Sequence, residues 1–202
     1  MIAGILLAAG RSERFGSDKR LREINGRPLI YYSLRACIES TLRSIFVVVE
    51  TSRTQTANLV ENLFPRNPKI RVIENPLAIR GQMSSVKAGL RALPPDVNGA
   101  MIVLADMPLI TPELIDRLTR VFDERGTVVV PESGGTQYHP RILPRSLFPQ
   151  FLALDDSEKG TGVLGALGDR ITTVRVPDRN LFRDVDKPGD LIDVTRRLAL
   201  VR

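Results

Sequence analysis

Strand-length apolar runs alternate along this chain with stretches in which apolar residues return every third or fourth position. The first run, Ile2 to Ala9, contains no polar side chain. Others follow at Ser44 to Val49, Ile70 to Glu74, Ala100 onward to the acid Asp106, and Thr127 to Pro131. A strand covered on both faces reads as a continuous apolar run. Between these runs, Pro28 to Ser40 has the pattern of a helix, with Pro in its first turn and an apolar face of Leu29, Ile30, Leu34 and Ile38. A second helix passes through Leu59, Val60 and Leu63 and stops at Pro65. A third follows Gly81, with Ser84 and Ser85 in its first turn. A fourth starts at Thr111-Pro112-Glu113, where an N-cap, a proline and an acid stand in the preferred order. A last one is opened by Pro188 and Asp190 and runs through Leu191, Val194 and Leu198. This alternation predicts a largely parallel sheet with helices on both faces. No repeat, low-complexity tract or linker divides the chain, so residues 1–202 read as one domain.

Composition narrows the class. The chain has 202 residues, enough to bury a sizeable core, and its 43% hydrophobic and 26% charged residues are those of an ordinary globular protein. The lone Cys37 excludes an intramolecular disulfide and, spaced helically with Leu34 and Ile38, reads as a small core residue in a reducing cytoplasm. The apolar start has no basic segment before it and no small-residue cleavage site after it. No run reaches the length of a membrane span, so a cytoplasmic protein without membrane association is expected. The net charge of +6 favours anionic ligands. The basic residues are thinly spread and aromatics are only 5%, too few for a stacking platform, which argues against nucleic acid as partner.

The candidate chemistry sits where the apolar runs end. Leu7-Ala8-Ala9-Gly10 passes into a loop containing Arg11, Ser12, Arg14, Gly16 and Lys19. Glycines let backbone approach a ligand, backbone N–H groups and Ser12 can face phosphate oxygens, and the basic side chains can neutralise them. The loop matches neither the Walker A spacing nor the dinucleotide Gly-x-Gly-x-x-Gly. Further on, Asn75-Pro76 and Gly81 lead to Ser84 and Ser85 at a helix N-terminus, a place suited either to an anion or to an ordinary serine cap. Asp106 closes a buried strand on the functional edge of such a sheet, where a hard oxygen ligand suits Mg²⁺. Asp184 and Asp186 are two apart on an extended segment and can face one side. The only histidine, His139, lies between a glycine turn and an expected strand.

Taken together, Leu-Ala-Ala-Gly-x-Ser-x-Arg-Phe-Gly-x-x-Lys, Asn-Pro…Gly-x-x-Ser-Ser, Leu-Ala-Asp106 and Asp184-Val-Asp186…Pro-Gly-Asp-Leu resemble, in order, the motifs of the MobA-like NTP transferase family. The likeness is greatest to its CTP:molybdopterin cytidylyltransferases. The resemblance implies a Rossmann-like three-layer sandwich with a mostly parallel mixed sheet, of the nucleotide-diphospho-sugar transferase type. It also implies transfer of CMP from CTP to the terminal phosphate of molybdopterin, with release of pyrophosphate and Mg²⁺ as cofactor. On that resemblance Leu7, Ala8, Ala9, Gly10, Arg11, Ser12, Asn75, Gly81, Ser84 and Ser85 contact the nucleotide. Arg14 and Lys19 hold its phosphates, Asp106 and Asp186 hold the metal, and Met107, Tyr138 and His139 face the acceptor. A molybdenum hydroxylase apo-enzyme is the implied protein partner. Departures from the pattern fall at Phe15, Met107, Tyr138 and Lys159-Gly160-Thr161-Gly162, the last three where acceptor or base is read. Guanylyl-transferring relatives have Gly where this chain has Ala9 and Asn where it has Asp186, which favours CTP over GTP. The alternatives are GTP, a sugar or polyol phosphate as acceptor, and a non-catalytic carrier of the molybdenum cofactor.

Overall fold

In a computed structural model, which describes residues 1–10, 15, 18–52 and 54–200, β1 (Ile2–Ala8) lies inside an eight-stranded sheet. β4 (Ile45–Glu50) and β5 (Ile70–Asn75) run parallel on one side of it, and β6 (Gly99–Leu104) runs parallel on the other. Beyond β6 comes β9 (Arg141–Pro144), antiparallel both to β6 and to β7 (Val128–Ser133). β10 (Ile171–Arg175) pairs parallel with β7, and the short β8 (Thr136–Gln137) folds back on it. A separate hairpin joins β2 (Glu23–Ile24) to β3 (Arg27–Pro28).

Helices cover both faces, which is why every residue of β1 is buried. Ile2, Leu6 and Ala8 pack with residues of α1 (Leu29–Glu39), α2 (Thr54–Leu63) and α4 (Pro112–Arg125), including Leu34, Cys37, Val60 and Leu118. Ala3, Ile5 and Leu7 face α3 (Gln82–Ala92), α5 (Phe148–Ala153) and α6 (Thr161–Gly165) through Met83, Val86, Phe151 and Leu164. α7 (Pro188–Leu200) closes a smaller cluster of Ile24, Leu29, Leu109, Val185 and Val194. The mostly parallel mixed sheet agrees with the expected fold. Burial pushes the Cys37 thiol up to about 12, as befits a core residue. No described helix is long and apolar enough to cross a membrane.

Two expectations shift. β6 ends at Leu104, two residues short of Asp106, because the chain turns there: Ala105 N–H donates to Leu7 O at 3.2 Å, and the buried Ser33 hydroxyl of α1 donates to Ala105 O at 3.1 Å. Pro28 stands at the N-cap of α1 in extended conformation, paired in β3, rather than inside the first turn. At Thr111 the expectation holds, since its hydroxyl accepts from Leu114 N–H ahead of Pro112.

The connections position the site. The chain runs β1, β4, β5 in one direction and then returns to lay β6 on the other side of β1. The carboxyl ends of β1 and β6 therefore border a crevice at the switch point, where open α/β sheets bind ligands.

Candidate nucleotide-binding site

A cavity of about 360 Å³ lies in that crevice. Leu7, Ala9 and Gly10 reach it from the end of β1, and Leu104 and Asp106 from the end of β6. The opposite wall is the entrance to α3, with Ala78, Ile79, Gly81, Gln82 and Ser85. Gly81 is the N-cap with φ 133°, a conformation that favours glycine, and a Cβ there would fall 2.5 Å from the Asp156 carbonyl oxygen. Asn75 at the end of β5 braces this wall from behind. Its Nδ2 donates to Ser84 Oγ at 2.9 Å and Ser85 Oγ at 3.0 Å, and its Oδ1 accepts from Leu77 N–H. Ser84 in turn donates to Gly81 O at 2.7 Å. Of the serines, Ser85 lines the cavity, while Ser84 and Asn75 hold its shape. The first turn of α3 supplies the positive end of the helix dipole.

Beside the cavity stands a charge cluster. Lys19 Nζ donates to Asp106 Oδ2 at 2.6 Å, to Val185 O at 2.8 Å and to Asp186 Oδ1 at 3.2 Å. Asp106 is fixed through its backbone, because its carbonyl accepts from Val185 N–H at 2.9 Å. Asp190 at the start of α7 accepts from the N–H groups of Asp186 and Lys187, which orients the other partner. Burial works against the Lys19 ammonium, but Asp106 and then Asp186 outweigh it and hold its pKa above the ordinary lysine value. Burial, followed by repulsion from Asp186 and Asp106, raises the Asp184 carboxyl, which lines a separate depression with Tyr138 and Arg183. Asp106 and Asp186 thus converge on the Lys19 ammonium, with Val185 O as the third oxygen around it. No group of three His, Cys, Asp or Glu side chains among the described residues is placed to hold a metal. Two carboxylates completed by substrate phosphates are nevertheless a donor set that fits Mg²⁺.

Other candidate residues are placed differently. Arg11, Ser12 and Arg14 lie outside the described residues. Ala8 is buried in the core beside Ala105 rather than in the cavity wall. Met107 is also in the core, 3% exposed, and presents no surface to an acceptor. Tyr138 and His139, adjacent in the bend between β8 and β9, part company. Tyr138 stacks on Phe182 with ring centroids 4.5 Å apart, in a depression shared with Arg179, Arg183 and Asp184. His139 lines a second cavity of about 300 Å³ that shares Leu7 and Gln82 with the first. Its walls combine apolar residues, among them Met83, Val86, Ile102, Leu143 and Phe151, with Gln82, Arg141 and the Ser157 to Thr161 segment. His139 Nδ1 lies 3.2 Å from Ile102 O, which can only accept, so Nδ1 carries the proton and Nε2 the lone pair.

Three contributors escape a reading of the sequence: Ser33, Gln82 and Arg141. Ser33 sits on the apolar face of α1, and a hydroxyl there is the one sign that a buried carbonyl awaits it. Gln82 and Arg141 reach the second cavity from elements distant in sequence, and no motif marks them.

The mostly parallel sheet, the crevice at its switch point and the lysine held between two aspartates define a nucleotidyltransferase-type α/β fold. A nucleotidyl transferase from Methanothermobacter superposes on it with TM-score 0.81 at 20% identity, covering 100% of this chain and 99% of that one. Residues 4–171 match the MobA-like NTP transferase domain, and the chain belongs to that family. It is 35% identical over 129 residues, 63% of this chain and 61% of the relative, to a probable molybdenum cofactor guanylyltransferase of Thermococcus gammatolerans. It is 26% identical over 191 residues, 92% of this chain and 68% of the relative, to a 2-C-methyl-D-erythritol 4-phosphate cytidylyltransferase of Streptomyces avermitilis. The match to the guanylyltransferase thus spans about three fifths of that relative's length.

Proposed function

We propose that the protein transfers CMP from CTP to the terminal phosphate of a molybdopterin-type acceptor and releases pyrophosphate. The observation that carries this reading is the Lys19–Asp106–Asp186 cluster at the rim of a nucleotide-sized cavity in a chain of this family. An acceptor phosphate oxygen attacks the α-phosphorus, and the bond from that phosphorus to the bridging oxygen of pyrophosphate breaks. An ionised phosphate is already nucleophilic, so the chemistry asks for no general base. What it asks for is positive charge on the leaving group and fixed alignment of two anions. Lys19, kept protonated by its carboxylate neighbours, supplies the first, with Arg14 assigned to the same phosphates by the motif. Asp106 and Asp186 would hold Mg²⁺, which when bound neutralises charge on the transferring and departing phosphates. A pure cofactor carrier would need no such cluster.

The second cavity supports a flat heterocyclic acceptor over a polyol phosphate, since Met83, Val86, Ile102, Leu143, Phe151 and Leu164 give it apolar wall for a ring to lie on. The Ala9 methyl, facing the nucleotide cavity beside Gly10, supports the smaller pyrimidine base. The likeness to a probable guanylyltransferase of Thermococcus favours GTP, and that is the second reading. Delivery of the product to a molybdenum hydroxylase apo-enzyme in the cytoplasm completes the proposal.

Pyrophosphate release should be screened with four nucleotides against molybdopterin and a panel of sugar phosphates, followed by competition of CTP with GTP in wild type and Ala9→Gly. CTP should win in wild type and lose ground in the variant by at most about 1–3 kcal/mol, the worth of one methyl in a pocket. A wild type that prefers GTP establishes the second reading, and a ratio unmoved by Ala9→Gly removes Ala9 as its determinant.

A further inference from the structure

The segment from Leu154 to Thr161 crosses the N-terminal end of α3, and its attachment there is built from groups with no part in the chemistry above. Lys87, buried in the second turn of α3, donates from Nζ to Leu154 O at 2.7 Å and to Asp156 Oδ1 at 2.7 Å. Arg80 approaches the other Asp156 oxygen at 3.6 Å. The Lys87 hydrogen bond lowers the pKa of the Asp156 carboxyl. The Asp156 carbonyl lies over Gly81 so closely that no side chain fits between them. Inside the segment, Glu158 closes a turn by accepting from Asp155 N–H while its own N–H donates to Asp155 O. At its far end Gly160 is pressed against Phe151, where a Cβ would fall 2.6 Å from the ring, and against Met83.

The same strap therefore touches both cavities. Its carbonyl rests on Gly81, which with Gln82 lines the nucleotide cavity. Its residues Ser157 to Thr161 form part of the wall of the second cavity, alongside the same Gln82. Lysine is long and flexible and is seldom buried unless paired, so a buried lysine with two oxygen partners on one short segment is a specific tether. Resting on the nucleotidyl-transfer reading, we infer that Lys87 and Asp156 are positioning residues. They latch residues 154–161 to the entrance of α3, so that filling the nucleotide cavity sets the shape of the acceptor cavity. The coupling is a free energy between two sites and acts in both directions.

The test uses the intact chain and two variants, Lys87→Met, which keeps the length of the stem, and Asp156→Asn, which keeps the size and removes the charge. CTP and GTP binding is measured by calorimetry, and hydrogen exchange is followed with and without nucleotide. In wild type, nucleotide should slow exchange in residues 154–161, although none of them lines its cavity. In both variants that transmitted protection should disappear while protection at residues 82–85 persists, and nucleotide affinity should fall about tenfold. A latch that only stabilises the fold would lower the melting temperature and leave the transmitted protection intact, which overturns the inference. So does a wild type that binds nucleotide without slowing exchange in the strap. A wild type that binds neither nucleotide overturns the nucleotidyl-transfer reading along with it. If Lys87→Met fails to fold, Asp156→Asn, at the surface end of the pair, gives the same comparison.

Discussion

Protonation of His139 should be costly to the folded protein, and the chain permits a clean measurement because it contains one histidine. Burial, then the charge of Arg141, push this ring down to about 4, against the opposing pull of its bond to Ile102 O. In the unfolded chain the ring titrates at its ordinary value of 6.5. A histidine whose folded pKa is depressed contributes stability that is complete above the unfolded pKa. It is lost as pH falls from 6.5 and is gone by about 4. At 1.36 kcal/mol per pH unit the window corresponds to about 3 kcal/mol, an upper figure because the ring is partly exposed. Urea unfolding at about pH 7.5 and pH 4.5, in wild type and in His139→Gln, isolates this from the carboxylates, which titrate in both proteins. Wild type should lose about 2–3 kcal/mol more than the variant over that interval. The single imidazole resonance gives the pKa directly by NMR. A midpoint near 6.5, or parallel losses in the two proteins, would refute the assignment of a neutral His139 with its lone pair on Nε2.

Two further perturbations address the cluster and the core. If Lys19 acts on the leaving group as proposed, Lys19→Ala should lower kcat about 10²–10³-fold with a smaller change in KM for the nucleotide; a raised KM at unchanged kcat would make Lys19 a tether only. Gly89→Ala should destabilise the fold by about 1–3 kcal/mol in urea unfolding despite the better helix propensity of alanine. Its Cβ would fall 2.5 Å from Cγ2 of the fully buried Ile5, which has no space to yield. A variant as stable as wild type would show that α3 can lift from β1.

The alternation of apolar runs and helical stripes determined the three-layer class by itself, because a strand buried on both faces cannot be written any other way. Thr111-Pro112 and the lone Cys37 were legible for a similar reason, since capping and burial are decided within one turn or one face. The motif order also carried the family, which the match over residues 4–171 established. Geometry across the fold was not legible. That Lys19 is bridged by Asp106 and Asp186 depends on segments 87 and 167 residues away. Neighbours in sequence separated for the same kind of reason: Met107 follows Asp106 yet points into the core, and Tyr138 and His139 face different cavities. Both pairs lie just beyond strand ends, where the chain turns, so which way each side chain points is set only once the layers on either side are packed. The sequence by itself therefore determined the periodicity, the Thr111 cap and the edge of the sheet where chemistry would gather. Only the tertiary structure decided which side chains meet there, because those contacts depend on where β6, α3 and the Asp184–Asp186 segment come to rest against β1.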